Sequence, residues 1–243
     1  MRRLFIDEPL KEEITITGQD AHHLGYALRA RVGQRYVVAD VNGEVAEMEI
    51  SSFTAETVKM KLIARLPADT ESPIELTLAM CLPKADKMDF IVQKATELGA
   101  TAVQPLKSAN CVVKYDAKKA AARQEKWQRV ADEAGKQCAR TVIPVVAPVR
   151  ELTDWLTETG EAVARGDILG IMCYEAEDEL PLSRVLQEAT AQRYAVLIGP
   201  EGGFSLAEAD AARAAGFKTV TLGKRILKAE TAAIAAMTIG QDA

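Results

Sequence analysis

Two short stretches of this chain gather the residues that could do chemistry. Gly199-Pro200-Glu201-Gly202-Gly203-Phe204 follows an apolar run ending at Ile198, and about twenty residues later comes Leu222-Gly223-Lys224-Arg225-Ile226-Leu227-Lys228-Ala229-Glu230-Thr231-Ala232. Glycines directly after a buried strand remove side chains where backbone must come close to something, either a neighbouring segment or a ligand. Lys224, Arg225 and Lys228 could grip an anion or stabilise negative charge developing on a carbonyl. Read one at a time, the first stretch is equally a tight strand-to-helix turn, and the second a basic surface turn before a core helix. Neither is the Gly-x-Gly-x-x-Gly dinucleotide fingerprint, and no Gly-Lys-Ser/Thr phosphate loop occurs. A third stretch, Ile171-Met172-Cys173-Tyr174-Glu175, carries a weaker signal of the same kind.

Elements must hold these loops in place. Apolar runs at 76–82, 101–104, 142–147, 168–173, 194–198 and 219–222 each precede a plausible helix. In the first of these helices Met88, Ile91, Val92, Ala95 and Leu98 keep one face apolar, and Gly99 stands where a C-terminal cap belongs. Trp127, Val130, Ala131, Ala134 and Cys138 form a second stripe, and Ser205 with Glu208 forms a capping box. Strand–helix alternation with continuously apolar strands predicts a parallel sheet covered on both faces. Ligands of such sheets bind off the carboxyl ends of the strands, where all three loops fall.

The first 65 or so residues read differently. Short β-rich runs, Asn42-Gly43 between two of them as a type I′ hairpin signal, and one short helix near 20–29 predict a small β-barrel. The polar segment Pro67-Ala68-Asp69-Thr70-Glu71-Ser72-Pro73 reads as a linker, giving domains of 1–70 and 73–243.

Composition excludes several classes. With 243 residues, 48% hydrophobic, 27% charged, 15 Gly and 9 Pro, the chain is neither collagen-like, nor a disordered tail, nor a small disulfide scaffold. No stretch is apolar for the roughly 18–20 residues of a membrane span, and no apolar stretch follows Arg2 and Arg3, so neither membrane segment nor signal peptide is expected. Cys81, Cys111, Cys138 and Cys173 lack any Cys-x-x-Cys pairing, and the two histidines, His22 and His23, are neighbours. That predicts no metal site and reduced thiols in a cytoplasmic protein. Net charge is −5 but unevenly spread: residues 79–140 carry twelve basic and seven acidic side chains, between two acidic segments. A basic third of this kind is either a solvated helix face or a nucleic-acid surface.

Taken together, Gly-Pro-Glu-Gly-Gly-Phe and Leu-Gly-x-Arg-Ile-Leu-x-x-Glu-Thr-Ala resemble the cofactor region of the SPOUT methyltransferases. More narrowly the chain resembles the bacterial 16S ribosomal-RNA uridine-N3 methyltransferases, the RsmE group. Arg2-Arg3-Leu4-Phe5, His22-His23-Leu24, Leu28-Arg29, Gly33, the run 84–99 with Lys94-Ala95-Thr96-Glu97-Leu98-Gly99, Gln137, Arg140 and Pro144 extend the likeness over nearly the whole chain. Lys136, Lys228 and Ala229 depart from the group's pattern, which carries Glu, Arg and Thr there. The resemblance implies an N-terminal PUA-like β-barrel and a C-terminal α/β domain threaded into a trefoil knot. It also implies a homodimer that binds S-adenosylmethionine in the knot loops and acts on 16S rRNA of the small ribosomal subunit. Related readings are methylation of a ribose 2′-hydroxyl or of tRNA, and a non-catalytic RNA-binding assembly factor.

Methyl transfer to uracil N3 requires in-line alignment and loss of the N3 proton, and the charge left behind spreads to the ring carbonyls. The resemblance then distributes roles. Backbone around Ile198, Gly199, Gly202, Leu222, Gly223, Ile226 and Leu227 would hold the adenine and ribose; Thr231 would bond the cofactor or cap its helix. Arg225 is the first candidate for charge stabilisation. Glu201 is a base, a sulfonium partner or a turn residue, and Glu230 pairs with Arg225 or caps its helix. His22 and His23 are placed with RNA contact or packing rather than catalysis. Arg2, Arg3, Arg29, Arg31, Lys84, Lys87, Lys94 and Arg140 are the expected phosphate contacts.

Overall fold

Alternating side-chain burial along Glu13–Thr17 and Arg35–Ala39 is the signature of strands packed on one face. In the computed structural model, which describes residues 3–241 apart from 23, 26–29, 55 and 69, these are two of five strands in the first of two units. The unit comprises β1 (Arg3–Phe5), β2 (Glu13–Thr17), α1 (Gly18–His22), β3 (Arg35–Ala39), β4 (Val45–Phe53) and β5 (Thr57–Leu66). Sheet order is β1-β3-β4-β5-β2, parallel only between β1 and β3, so the sheet is half of a barrel. Leu24, Val38, Met48, Ile50, Val58 and Met60 are fully buried in its core. The expected helix over 20–29 extends past the described residues beyond α1.

The β3–β4 hairpin occurs where Asn42-Gly43 predicts it, but the turn is not type I′. Only Gly43 has positive φ, at 78°. Asp40 accounts for the difference. Its Oδ1 accepts the amides of Asn42 and Glu44, both at 2.8 Å, and its Oδ2 accepts the Leu10 amide at 2.9 Å. These bonds favour a longer loop with one left-handed glycine over the two-residue turn.

Residues 135–142 belong to this first unit although the chain reaches them through the second. Glu71 holds them. Its carboxylate accepts from Arg140 Nη2 at 2.6 Å and Nε at 3.0 Å, and from the Thr141 amide at 2.7 Å. Burial pushes the Glu71 carboxyl up, but the Arg140 guanidinium and the Thr141 amide outweigh it and hold it below the usual carboxylate range. A depressed folded-state value gives stability that is complete above the unfolded value, near ~4, and is lost as pH falls through the folded one. Glu71→Gln is therefore expected to destabilise the first unit at neutral pH by about 2–3 kcal/mol. That is below the loss for a fully enclosed pair, because Glu71 keeps 22% exposure. Urea unfolding should show the deficit shrinking as the pH falls through that depressed folded-state value, where the wild-type carboxyl also becomes neutral.

The second unit, residues 72–134 and 143–243, starts at β6 (Glu75–Cys81). It continues through α2 (Lys87–Glu97), β7 (Ala102–Lys107), α3 (Ala117–Cys138, of which residues from 135 on belong to the first unit), β8 (Val145–Val146), β9 (Arg150–Glu151) and α4 (Leu152–Ala164). After these come β10 (Leu169–Cys173), α5 (Leu182–Gln187), β11 (Arg193–Ile198), α6 (Leu206–Ala214), β12 (Lys218–Val220) and α7 (Ala229–Gln241). All its pairings are parallel, in the order β12-β10-β11-β6-β7-β8, with β9 also on β7. Along β11 every residue after Arg193 is buried, as helices on both faces require. Each Leu or Val so enclosed stabilises by about 1.5–3 kcal/mol. α2 buries Met88, Ile91, Val92 and Ala95 as its periodicity predicts, and the Ser205–Glu208 capping box is present. α7 returns from the edge strand to pack on α2, β6 and β11 near the middle of the sheet.

Candidate active site

The carboxyl ends of β10, β11 and β12 are neighbours, which brings together three loops separated in sequence. They enclose a cavity of about 610 Å³, walled by residues 173–175, 177–178, 198–203 and 220–229 with Ala232. Ile198, Gly199, Glu201, Gly202, Leu222, Gly223, Arg225, Ile226 and Leu227 all line it. Thr231 does not; it is exposed on the first turn of α7, one residue before the lining Ala232.

The glycines divide into two kinds. A Cβ on Gly199 would sit 2.9 Å from the Phe204 ring, and one on Gly202 would sit 3.0 Å from the Asn110 Cβ. Both are required by neighbouring protein. Gly203 has φ +65°, and its missing side chain leaves room for the Glu175 carboxylate. Gly223 is different: at φ +114° it has nothing within 4 Å of where a Cβ would point, so its bare backbone faces open space. Thr221 Oγ1 pins this bend by accepting the Gly223 amide at 3.2 Å and donating to the Gly223 carbonyl at 3.1 Å. Among the described residues, the backbone amides of Leu222 and Lys224 to Lys228 donate to no group of the chain. A run of unpartnered donors beside a cavity calls for water or a ligand.

Charges at the rim are arranged asymmetrically. Glu201 accepts the Lys84 amide at 3.1 and 3.2 Å on its two oxygens and pairs with Lys87 at 2.9 Å. Burial raises the Glu201 carboxyl, but the Lys87 ammonium and nearby amides outweigh it and hold the group ionised below its usual range. Lys87 also reaches Glu230, 3.2 Å away, and its hydrogen bond to Glu201 raises its own pKa. Glu230 thus pairs with Lys87, correcting the expected Glu230–Arg225 pair; the bridge between two carboxylates draws Glu230 to α2. Arg225 is exposed in the cavity wall with no hydrogen bond or ion pair among the described residues.

Several expected phosphate contacts are engaged internally. Arg140 is 4% exposed and bound to Glu71, so burial removes it from an RNA-facing surface, a correction of the expected role. Lys94 pairs with Glu97 at 2.8 Å, and Lys87 bridges two acids. Arg3 donates through Nη1 to the Ala139 carbonyl. Lys84 and Arg31 are exposed. Arg2 and Arg29, with His23, lie outside the described residues. Among the described residues no cluster of three His, Cys, Asp or Glu side chains forms, and no helix is long and apolar enough to cross a membrane.

Asn110 had no expected role, and Glu175 only the weak signal of the stretch 171–175. Asn110 Nδ2 donates to the carbonyls of Gly202 at 3.0 Å and Gly203 at 3.2 Å, tying the loop after β7 to the cavity wall. The Ala109 amide adds a bond to the capping-box Glu208 at 2.7 Å. Only the position of these residues at a strand's carboxyl end could have signalled them.

A glycine-lined cavity at the carboxyl edge of a parallel sheet, with free backbone donors and an unpaired arginine, fits a group-transfer enzyme that binds a nucleoside cofactor. A family model described as an RNA methyltransferase domain matches residues 70–241. The chain belongs to this family, within the group named ribosomal RNA small subunit methyltransferase E. It is similar to the protein of that name from Bacillus subtilis, 32% identical, covering 98% of this chain and 94% of the relative. Among solved structures it is similar to the ribosomal RNA small subunit methyltransferase E of Neisseria gonorrhoeae bound to S-adenosyl methionine. The TM-score is 0.85, at 30% identity over 98% of this chain and 96% of that one. A putative methyltransferase of Legionella pneumophila in complex with the same cofactor gives a TM-score of 0.84 at 26% identity, over 99% and 96% of the two chains.

Proposed function

We propose that this protein is an S-adenosylmethionine-dependent methyltransferase that modifies N3 of a uridine in 16S rRNA of the small ribosomal subunit. The observation that carries the reading is the 222–228 bend: unpartnered amides, a bare Gly223 and a free Arg225 on one cavity wall. The donor, when bound, supplies an electrophilic methyl group on a sulfonium. Amides of Leu222 and of Lys224 to Lys228 and backbone beside Ile198 and Gly199 would bind its nucleoside part, and apolar Ile198, Leu222 and Leu227 would exclude water. Arg225 would stabilise the charge that spreads to the uracil carbonyls when the N3 proton leaves. Glu201, already held ionised by Lys87, serves as a positioning residue that ties residue 84 to the cavity wall. A depressed carboxyl is a poor proton acceptor. Thr231, off the cavity, is assigned no contact.

The proposal extends to a homodimer in the cytoplasm and to knotted threading of the C-terminal segment. The return of α7 to the middle of the sheet supports that threading. Sedimentation at varied concentration tests the dimer.

Calorimetric titration with S-adenosylmethionine, followed by mass mapping of rRNA nucleosides from cells with and without the protein, tests the function. Loss of 3-methyluridine from 16S rRNA in the deletion is expected. A change confined to tRNA or to ribose methylation would replace the reading.

Asn110 gives a finer test. Losing its two bonds to the glycine carbonyls should weaken donor binding about tenfold in Asn110→Ala, roughly 1.4 kcal/mol. Asn110→Asp should bind as weakly at neutral pH and recover as the pH falls, because only a protonated carboxyl can donate to a carbonyl.

A further inference from the structure

Along the carboxyl edge of the parallel sheet, the cavity takes up one end only, over β12, β10 and β11. β6 and β7 come next, and their ends lead into residues 82–86 and 108–116. A second group of charges stands there. From Lys107 to Arg129 the chain carries seven basic and two acidic residues, in a protein of net charge −5. Carboxylates already pair three of the cations: Lys107 with Glu151 at 3.3 Å, Lys126 with Asp89 at 2.5 Å and Arg123 with Asp86 at 3.4 Å. Lys84, Lys114 and Lys118 are exposed, and their ammonium groups have no partner among the described residues.

Lys119 joins these beside an aromatic ring. Its Nζ lies 5.3 Å from the centre of the Tyr115 ring, with Arg123 Cζ 5.9 Å from it. Two contacts connect the ridge to the cavity: the Lys84 amide on Glu201, and the Asn110 side chain on the carbonyls of Gly202 and Gly203. The basic ridge therefore begins where the cavity ends.

Cations already neutralised by a carboxylate displace few counterions when a phosphate arrives, whereas solvated ones release them and drive binding. Solvated lysines beside an aromatic ring are the usual means of holding single-stranded nucleic acid. A base must leave its stack to reach a methyl donor in a cavity, so its flanking strand needs such a track.

We propose that Lys84, Lys114, Lys118 and Lys119, beside Tyr115, hold the phosphates of the RNA strand on one side of the nucleotide entering the cavity. This rests on the methyltransferase reading above and adds the path of the strand, from the expected contact Lys84 to the start of α3, which the expected phosphate contacts left out. The acidic remainder of the protein repels RNA and confines it to the ridge.

Binding of protein-free 16S rRNA across about 50–200 mM salt tests the proposal. The double variant Lys118→Glu, Lys119→Glu should bind at least about tenfold more weakly, with the slope of log K against log salt shallower by about two. Its affinity for S-adenosylmethionine should be unchanged, which also reports a folded cavity. Lys114→Glu repeats the measurement without touching α3, and should lower the slope by about one. Lys218→Glu, exposed at the opposite end of β12, is the control and should leave RNA affinity unchanged. Unaltered affinity and slope in both ridge variants, or an equal loss in the control, overturns the proposal. Slower methylation of assembled subunits with unaltered rRNA binding also overturns it, assigning the ridge to a ribosomal protein. Wild-type protein that binds no S-adenosylmethionine refutes the functional reading instead, and the rRNA measurements still decide the ridge.

Discussion

Replacing Arg225 by alanine is expected to lower methyl-transfer turnover by about 10²–10³-fold, the usual loss when one donor to a developing oxyanion is removed. The affinity for S-adenosylmethionine should stay within about twofold, because Arg225 is exposed and makes no hydrogen bond or ion pair among the described residues. Single-turnover rates on small subunits, set beside calorimetric affinity, separate the two effects. Arg225→Lys should recover part of the rate, since it keeps the charge but loses the planar fork. A variant that binds and turns over normally would remove Arg225 from the chemistry and leave the backbone donors as the stabilising groups.

Valine at position 223 should do the reverse, abolishing donor binding while leaving most of the fold. The φ of +114° lies beyond the left-handed well, and a β-branched residue is strained there whatever the space. No protein atom would meet the new Cβ within 4 Å, so the side chain enters open space beside the cavity that Gly223 lines. Strain of about 1–3 kcal/mol is shared with an exposed loop, so the melting temperature should drop by only a few degrees, about 2–4 °C per kcal/mol. Donor affinity should fall about a hundredfold or more, near 2.7 kcal/mol. Retained affinity would show that the donor does not approach this bend.

Much of the second unit was legible in the chain. Periods of burial, the capping box and Gly99 depend on neighbours a few residues apart, and α2 and α6 follow them. The motif residues 198–203 and 222–227 meet in one cavity as expected. What could not be read arises from distant partners. Lys87 looks like a solvated cation until Glu201 and Glu230 are brought to it from more than a hundred residues away. Arg140 looks equally exposed until Glu71 buries it. The same holds for Gly199 and Gly202, whose missing side chains accommodate Phe204 and Asn110 rather than a ligand. Asp40 shows the effect at short range: one carboxylate was enough to change the turn that Asn42-Gly43 predicts.

The cavity takes its three walls from the connections after the successive strands β10, β11 and β12, each separated from the next by a helix and a strand. No single connection can therefore form this pocket alone; loop-closure entropy must be met before any wall finds its counterpart. Donor capture should consequently be among the last properties a refolding molecule regains, well after its helical circular dichroism. A ligand that bridges all three connections would in turn slow their separation and shield the bends from proteolysis.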